Sequence, residues 1–325
     1  MDSNSSDDAF RRRRRIRTGI ALGVCAPWVL FTVIRILGLE SGTLLVVLLS
    51  FTPVVAATAV VPVIVAAALR VWPAAGLAVL ATVALGALVL PRAFGGPTEP
   101  AGSPGPALRV LAANMRLGEG SAQPLIDLVD ELGVDVLSVE ELTPELVHEL
   151  ERQGIGQVLK HDRLRPAPGS AGSGIYSRLP IRSSAFQTLP GGFPLISGEV
   201  QPPGGISVEI VSVHTNPPTT VGEWEQDLAA LPPATPTRIL IGDFNATTDH
   251  ASFRDLLDTG YDDAADTLGS GLAPTWPVEH RILPTLFAID RVLAGSAVGI
   301  RDFSAHDLPD SDHRAVFAEL ELPAG

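Results

Sequence analysis

Between Ile239 and Asp249 the chain reads ILIGDFNATTD. Three aliphatic residues suited to a buried strand run through Gly242 to Asp243 and Asn245, two positions apart, so both side chains leave an extended chain on the same side. A carboxylate in that position can hold a hard cation or orient a water. An amide beside it donates hydrogen bonds to a phosphoryl oxygen without adding charge. The same pair also suits an Asx turn that closes a strand. Other strand-like runs end in residues of complementary kinds: Asn114 in LRVLAANM, Glu141 after DVLSVE, His214 after ISVEIVSV, and Ser311, Asp312 and His313 ahead of RAVFAEL. Asp290 stands inside the apolar run FAIDRVLA. An unpaired buried carboxylate is expensive, so Asp290 needs a partner, and a histidine is a natural one.

These residues need elements to position them. A helix is expected over Ala122 to Leu132, and a strand over Asp135 to Val139. Thr143 then serves as the N-cap of a further helix, with Pro144 in its first turn. Short strands follow at GIYS, EVQP and ISVEIVSV, then a helix from Val221 to Leu231, the strand into Asp243 and a helix around Ser252 to Asp258. Helices early and late with many short strands between them point to an α/β or α+β sandwich of two sheets.

Composition divides the chain sharply. Residues 16 to 91 are almost wholly apolar, whereas of 23 Lys+Arg and 36 Asp+Glu, 14 basic and 31 acidic residues lie from Ala101 onward. That half is strongly acidic and has a single lysine, Lys160, so it lacks the basic track that nonspecific nucleic-acid binding requires. Cys25 is the only cysteine, which excludes an intrachain disulfide and a cysteine metal site. Residues 2 to 8 have the composition of a disordered tail, and RRRRRIR at 11 to 17 abuts an apolar run, as a topology anchor does. Ile20 to Leu37, Thr43 to Leu69 and Ala74 to Leu90 each have spanning length, with Arg35 snorkelling from the end of the first. The expected organisation is an arginine-rich cytoplasmic tail over 1–19, three transmembrane helices over 20–91, a Gly/Pro linker over 92–107 and a catalytic domain over 108–325.

The motifs VLAANM, DVLSVEELTPE, GSGIYSRLPI, VSVHTNPP, ILIGDFNA, APTWP, IDRVL and SDHRAV, in this order, resemble those of the endonuclease/exonuclease/phosphatase superfamily, the DNase I-like phosphohydrolases. The resemblance covers roughly Leu108 to Leu322 and implies the DNase I-like two-sheet α/β sandwich. It implies that Glu141 is the principal ligand of Mg²⁺ or Mn²⁺, assisted by Asn114 and by Asp312 through the metal's waters. It implies that Asp243 and Asn245 orient the attacking water, that His214 donates to the developing negative charge, and that His313, paired with Asp290, acts as acid/base or as electrostatic stabiliser. Two positions depart from the family's pattern. Glu140 stands where Gln is usual, and Arg291 follows Asp290 where His or Tyr is frequent, so Arg291 could reach substrate phosphate. Arg178 is a second candidate anion contact or a structural ion pair.

The superfamily acts on many phosphoesters, so fold does not choose the substrate. An acidic domain tethered to the bilayer favours a membrane lipid or lipid-linked phosphate, undecaprenyl pyrophosphate being one, through local concentration. Three spans ahead of this domain are similar to the architecture of the VanJ-type teicoplanin-resistance membrane proteins, which implies a role in the envelope or in glycopeptide resistance. An extracellular nuclease and a non-catalytic membrane sensor are the alternatives. The arginine distribution with an odd number of spans puts the catalytic domain outside the cytoplasm. A reporter active only outside the cytoplasm, fused after Gly325, is therefore expected to give signal, and signal from a cytoplasm-only reporter instead would reverse the orientation.

Overall fold

The computed structural model describes residues 3–278 and 284–325. In chain order the elements are α1 (Ser3–Leu37), α2 (Gly42–Leu49), α3 (Thr52–Thr58), α4 (Val60–Ala68), α5 (Trp72–Val89), a 3₁₀ turn (Leu90–Ala93), β1 (Pro104–Asn114), α6 (Ala122–Glu131), β2 (Val136–Glu140), α7 (Pro144–Gln153) and α8 (Ile155–Val158). Then come β3 (His161–Arg165), β4 (Ser173–Ser177), β5 (Arg182–Thr188), β6 (Pro194–Val200), β7 (Val208–His214), α9 (Val221–Ala230), β8 (Arg238–Asp243) and α10 (Ala251–Leu257). The chain closes with β9 (Tyr261–Asp263), α11 (Ala264–Thr267), β10 (Asp290–Gly295), β11 (Gly299–Asp307) and β12 (Arg314–Pro323). Thr143 caps α7 as expected, its hydroxyl accepting the Leu146 amide at 3.2 Å.

The strands form two six-stranded sheets, in the orders β11-β12-β1-β2-β4-β3 and β5-β6-β7-β8-β10-β9. Alternate residues of the central strands face the other sheet, among them Val110, Ala112, Val136, Ile210, Ile239, Ile241, Val292 and Val316, and they make the apolar layer between the sheets. The opposite faces are covered by helices: Leu111, Leu137 and Phe317 pack with residues of α6 and α7, and Val211, Leu240 and Leu293 with residues of α9 and α10. This is the expected two-sheet α/β sandwich.

The apolar N-terminal region differs from three uninterrupted spans. Phe10–Leu37 and Trp72–Ala93 are continuous helices long and apolar enough to cross a membrane, but the middle segment is a pair, Gly42–Leu49 and Thr52–Ala68, bent by 61°. By length and composition the described residues hold two helices able to cross a membrane, or three if the bent pair is one span. Pro53 lies at the break, where its ring and missing amide oppose a continuous helix. Tertiary contact holds α2 away from α3: Val46 joins the cluster of Phe193, Trp224 and Phe253, and its carbonyl lies 2.9 Å from His250 Nε2. α1 begins at Ser3, inside the stretch expected to lack structure, and Asp2 lies outside the described residues. The acids at 7 and 8 stand four residues ahead of arginines at 11 and 12, a spacing that supports a helix.

The far ends of the apolar helices are bolted to the two-sheet domain. Arg35 donates to Asp249 Oδ1 at 3.0 Å and to the Thr248 carbonyl at 2.9 Å. Arg92 grips the same carboxylate through both terminal nitrogens, at 2.9 and 2.7 Å. Arg35 therefore does not snorkel into solvent; it is buried against an acid 214 residues away. The Gly/Pro-rich linker also lies against the domain, its Gly96, Thr98 and Ala101 amides donating to Thr267, Ile300 and Ala297. At the opposite end of α1, Arg17 donates to the Leu69 carbonyl, so the arginine-rich tail and the catalytic domain occupy opposite ends of the helices. Burial alone would raise the Asp249 carboxyl, but the two guanidiniums outweigh it and hold it below its ordinary range. Asp249→Asn leaves two buried cations facing each other and is expected to destabilise the docked assembly by about 3–5 kcal/mol. Chemical or thermal unfolding of the full chain checks this, and an unchanged transition would refute it.

Candidate active site

Strand register gathers the polar strand ends into one place. Across the second sheet His214 pairs in register with Asp243, and Asp243 with Asp290. Across the first sheet Asn114 pairs with Glu140, and His313 immediately precedes β12, which lies against β1. In each strand the inward alternation of the apolar core continues to the polar terminus: Ile239, Ile241, Asp243 in β8 and Ala294, Val292, Asp290 in β10. Gly242 is required before Asp243, because its φ is +141° and a side chain there would collide with the Val213 carbonyl.

The geometry brings the expected residues together. His313 Nδ1 lies 3.1 Å from both oxygens of Asp290, so the buried carboxylate has its histidine. Asn114 Nδ2 donates to Asp243 Oδ2 at 3.1 Å and to Glu141 Oε1 at 3.3 Å, and His214 Nε2 stands 3.8 and 3.9 Å from the same two oxygens. Asn245 donates its backbone amide to Asp243 Oδ1 at 2.8 Å and its side chain to the Thr215 carbonyl at 2.9 Å. The Asx turn and the functional pair are thus one arrangement. Glu141 and Asn245 both have positive φ, 56° and 48°, a conformation non-glycine residues adopt at some energetic cost. At Glu141 it breaks the strand alternation, so that Glu140 and Glu141 both turn toward the site instead of to opposite faces. Leu117 donates its amide to the outer Glu141 oxygen.

Glu140 lies wholly buried under the site, bonded to Ser138, which bridges the sheets to Ser212 at 2.7 Å. Burial, with Asp290 and Asp243 nearby, drives its carboxyl well above the ordinary range, which favours the neutral form. A neutral acid is close in shape to the glutamine it replaces. Asp312 accepts the Trp276 indole at Oδ2, 3.2 Å away, and its charge helps to favour protonated His313. Arg291 does not reach the site. Alternation turns it to the outer face, where it is buried against Asp263 at 3.0 Å and Asp266 at 3.6 Å. Arg178 is structural, bonded to the Val134 carbonyl at 3.1 Å and near Asp135. Two hydroxyls support the site, Thr275, which the sequence did not single out, and Ser311, named there only within the strand-end group. Thr275 Oγ1 accepts the Ile289 and Asp290 amides, and Ser311 ties the Asn114 carbonyl to the His313 amide at 2.7 and 3.0 Å. The only sequence signal for either was a hydroxyl inside a motif.

The residues fit a hard divalent cation. Oxygens of Glu141 and Asp243 converge on the same two donors, a like-charge approach that a cation would offset, and Glu141 keeps partial exposure. Asp243, Asp290 and His313 also bring ligand atoms within 4.8 Å of one another, but His313 Nδ1 is already engaged with Asp290.

Charge is distributed unevenly between the histidines. Burial, aided by the charge of His313, pushes His214 down to about 3, so it is neutral at physiological pH. Burial opposes protonation of His313 too, but Asp290 and Asp243 outweigh it and lift the imidazole to about 10. Burial and Asp290 raise Asp243 to about 7. Because its folded value lies above the ordinary one, protonated His313 supports the site at low and neutral pH, and that support is lost as pH rises through about 10. Asp290→Asn is expected to leave the fold intact and lower turnover roughly a thousandfold. His313→Ala should lower it as much or more, and the double variant should be little worse than His313→Ala alone. Strict additivity of the two losses in kcat would mean that Asp290 serves the strand and not the histidine.

The Endonuclease/Exonuclease/phosphatase family matches residues 111–313. No curated protein matches the chain. Among solved structures, TDP2 of D. rerio humanized by 14 mutations aligns with 66% of this chain and 98% of its own, at 19% identity and a TM-score of 0.55. An endonuclease/exonuclease/phosphatase from Beutenbergia cavernae DSM 12333 aligns with 67% of this chain and 72% of its own, at 17% identity and a TM-score of 0.54. The 3′ phosphatase NExo from Neisseria, bound to a product DNA hairpin, aligns with 65% and 98%, at 19% identity and 0.50. At these identities the likeness is one of fold. The family match spans most of the two-sheet domain and includes the strand ends that converge at the site, so the chain belongs to the Endonuclease/Exonuclease/phosphatase family, whose metal-using phosphoesterases and nucleases support hydrolase activity here.

Proposed function

We propose that this protein is a membrane-anchored, extracytoplasmic phosphohydrolase that uses Mg²⁺ or Mn²⁺ and acts on a lipid-linked phosphate such as undecaprenyl pyrophosphate, in the envelope or in glycopeptide resistance. The observation that carries the lipid reading is the junction at Asp249: the catalytic domain is bonded directly to the ends of two apolar helices instead of hanging on a free tether. A site held so close to the bilayer meets its lipids at high effective concentration.

In this reading a water positioned by Asp243 and Asn245 attacks phosphorus, and the bond to the leaving oxygen breaks as the new one forms. Asp243, at about 7, is matched to receiving the water's proton near neutral pH. Neutral His214 donates Nε2–H to a phosphoryl oxygen, and the His313 imidazolium, steadied by Asp290, offsets charge on the pentacovalent state. A divalent cation bound at Glu141 and Asn114 would polarise the phosphoryl group. Asn114 turns its Nδ2 to the carboxylates and its Oδ1 to the Arg116 amide, so its oxygen could serve as a ligand only with the amide turned over.

The nuclease reading has its support in the DNA product bound to the Neisseria relative. The excess of acids in this domain counts against it. The full chain should be offered undecaprenyl pyrophosphate, phospholipids, inositol phosphates and plasmid DNA with Mg²⁺ or Mn²⁺. Turnover of the lipid phosphate is expected, and turnover of DNA alone would install the nuclease. Chelation should abolish activity, and Glu141→Gln should raise the metal concentration needed for half-maximal rate without shifting the thermal transition. Activity that survives exhaustive chelation would remove the metal from the scheme.

A further inference from the structure

Between α3 and α5, on the side toward the catalytic domain, lies an open groove of about 940 Å³. Its walls include Pro53, Ala57, Val83, Ala87 and Leu90, and the catalytic domain closes one end with Leu272. The groove is concave because its facing residues are small: a methyl group added at Gly86 would meet only Leu90, at 3.7 Å. None of the lining residues is charged, and the one hydroxyl, on Thr82, is engaged with the Ala59 and Ala78 carbonyls. Such a surface suits hydrocarbon and offers nothing to a polar ligand.

A series of ring contacts links the mouth of the groove to the candidate site. Pro53 and Leu272 also border a small cavity of about 50 Å³ whose other walls include Leu286 and Ala288 and the charged Arg92, Asp249 and Arg291, so that cavity itself is not a route for hydrocarbon. Phe51, two residues before Pro53, packs edge-on against Phe287 with ring centres 4.9 Å apart. Phe287 stacks on Trp276 at 6.0 Å, and Trp276 lies 6.2 Å from the His313 ring while its indole bonds Asp312. A row of packed aromatic rings therefore leads from the break between α2 and α3 to the histidine paired with Asp290.

We propose that this groove seats the hydrocarbon chain of the lipid phosphate, with Phe51, Phe287 and Trp276 lining the way of its head-group end to His313. The inference rests on the lipid-phosphate reading and adds to it where the chain is held. A helix of a second copy is the competing occupant. It would find no hydrogen-bond partner in the groove and would not account for the aromatic path into the site.

Ala57 and Ala87 are exposed on the groove walls, so Ala57→Phe with Ala87→Phe fills the groove without disturbing packed side chains. The full chain in nanodiscs would be assayed on a long-chain polyprenyl diphosphate and on bis(4-nitrophenyl) phosphate, which has no chain. Losing the burial of even two methylenes corresponds to roughly a tenfold loss. The double variant should therefore lose about that much kcat/KM on the long-chain substrate, chiefly through KM, and keep its rate on the chainless ester. Independently of turnover, a phospholipid with a diazirine in its tail should photolabel α3 and α5 in the wild type and not in the variant. Undiminished long-chain turnover, equal loss on both substrates, or an unlabelled wild type would overturn the proposal. A change of oligomeric state in the variant with long-chain turnover intact would award the groove to a second copy. If the wild type cleaves the chainless ester but no lipid phosphate while its groove still labels, it is the lipid-substrate reading that has failed, and the assignment of the groove to substrate goes with it.

Discussion

Asp290 is a carboxylate set into an otherwise apolar strand, and the catalytic end of the molecule depends on how that buried charge is neutralised. Its strand belongs to the inner row of the sandwich, so the side chain cannot turn to solvent without turning Val292 and Ala294 out of the core. The charge is met by His313, which arrives from the other sheet, and the pair thereby ties the two sheets together at the site. Thr275 and Ser311 then have a clear purpose. One holds the backbone of the aspartate and the other that of the histidine, so the pair keeps its geometry through hydrogen bonds to the main chain. Asp290 and Asp243 keep the His313 imidazole protonated, while burial and the charge of His313 keep His214 neutral. Two histidines in one site thus acquire different tasks from their surroundings.

A second buried acid does for the whole molecule what Asp290 does for the site. Asp249 ends the same stretch that supplies Asp243 and Asn245, and it receives Arg35 and Arg92 from the ends of two apolar helices. Neither arginine can be desolvated alone, and one carboxylate with two cationic partners satisfies all three groups only when the helices and the domain are docked. Glu40 adds to the junction by accepting the Ser252 amide at the start of α10, and His250 by its contact with α2. The apolar helices and the strand ends of the candidate site are consequently joined by one eleven-residue stretch and its neighbours.

Much of this was legible from residue order alone. The eight strands that the sequence marks fall on the eight interior strands of the two sheets, EVQP by its first two residues only. The four that escape notice, β3, β5, β9 and β11, are the four sheet edges. Edge strands bury one side at most and carry polar residues that discourage pairing with other chains, as in HDRLR and the fully exposed RSSAFQT, so the periodic signal is missing for a physical reason. The site residues were legible for the complementary reason, being polar interruptions at the ends of strands that must otherwise be apolar.

Residue order and alternation determined which side chains face inward and that Asp290 would need a cationic partner, because those follow from a period of two and from the desolvation of charge. Only the tertiary structure decided which of the remaining polar residues met. Arg291 looked like a phosphate contact until strand alternation turned it onto Asp263, and Arg35 looked like a snorkelling residue until Asp249 lay opposite it. The middle apolar run has the composition of one span, and its division at Pro53 is realised through the packing of Val46 among residues roughly 150 to 200 positions away. Long-range pairings of this kind depend on sheet register and docking, and register is a property of neighbouring strands that no single stretch of sequence contains.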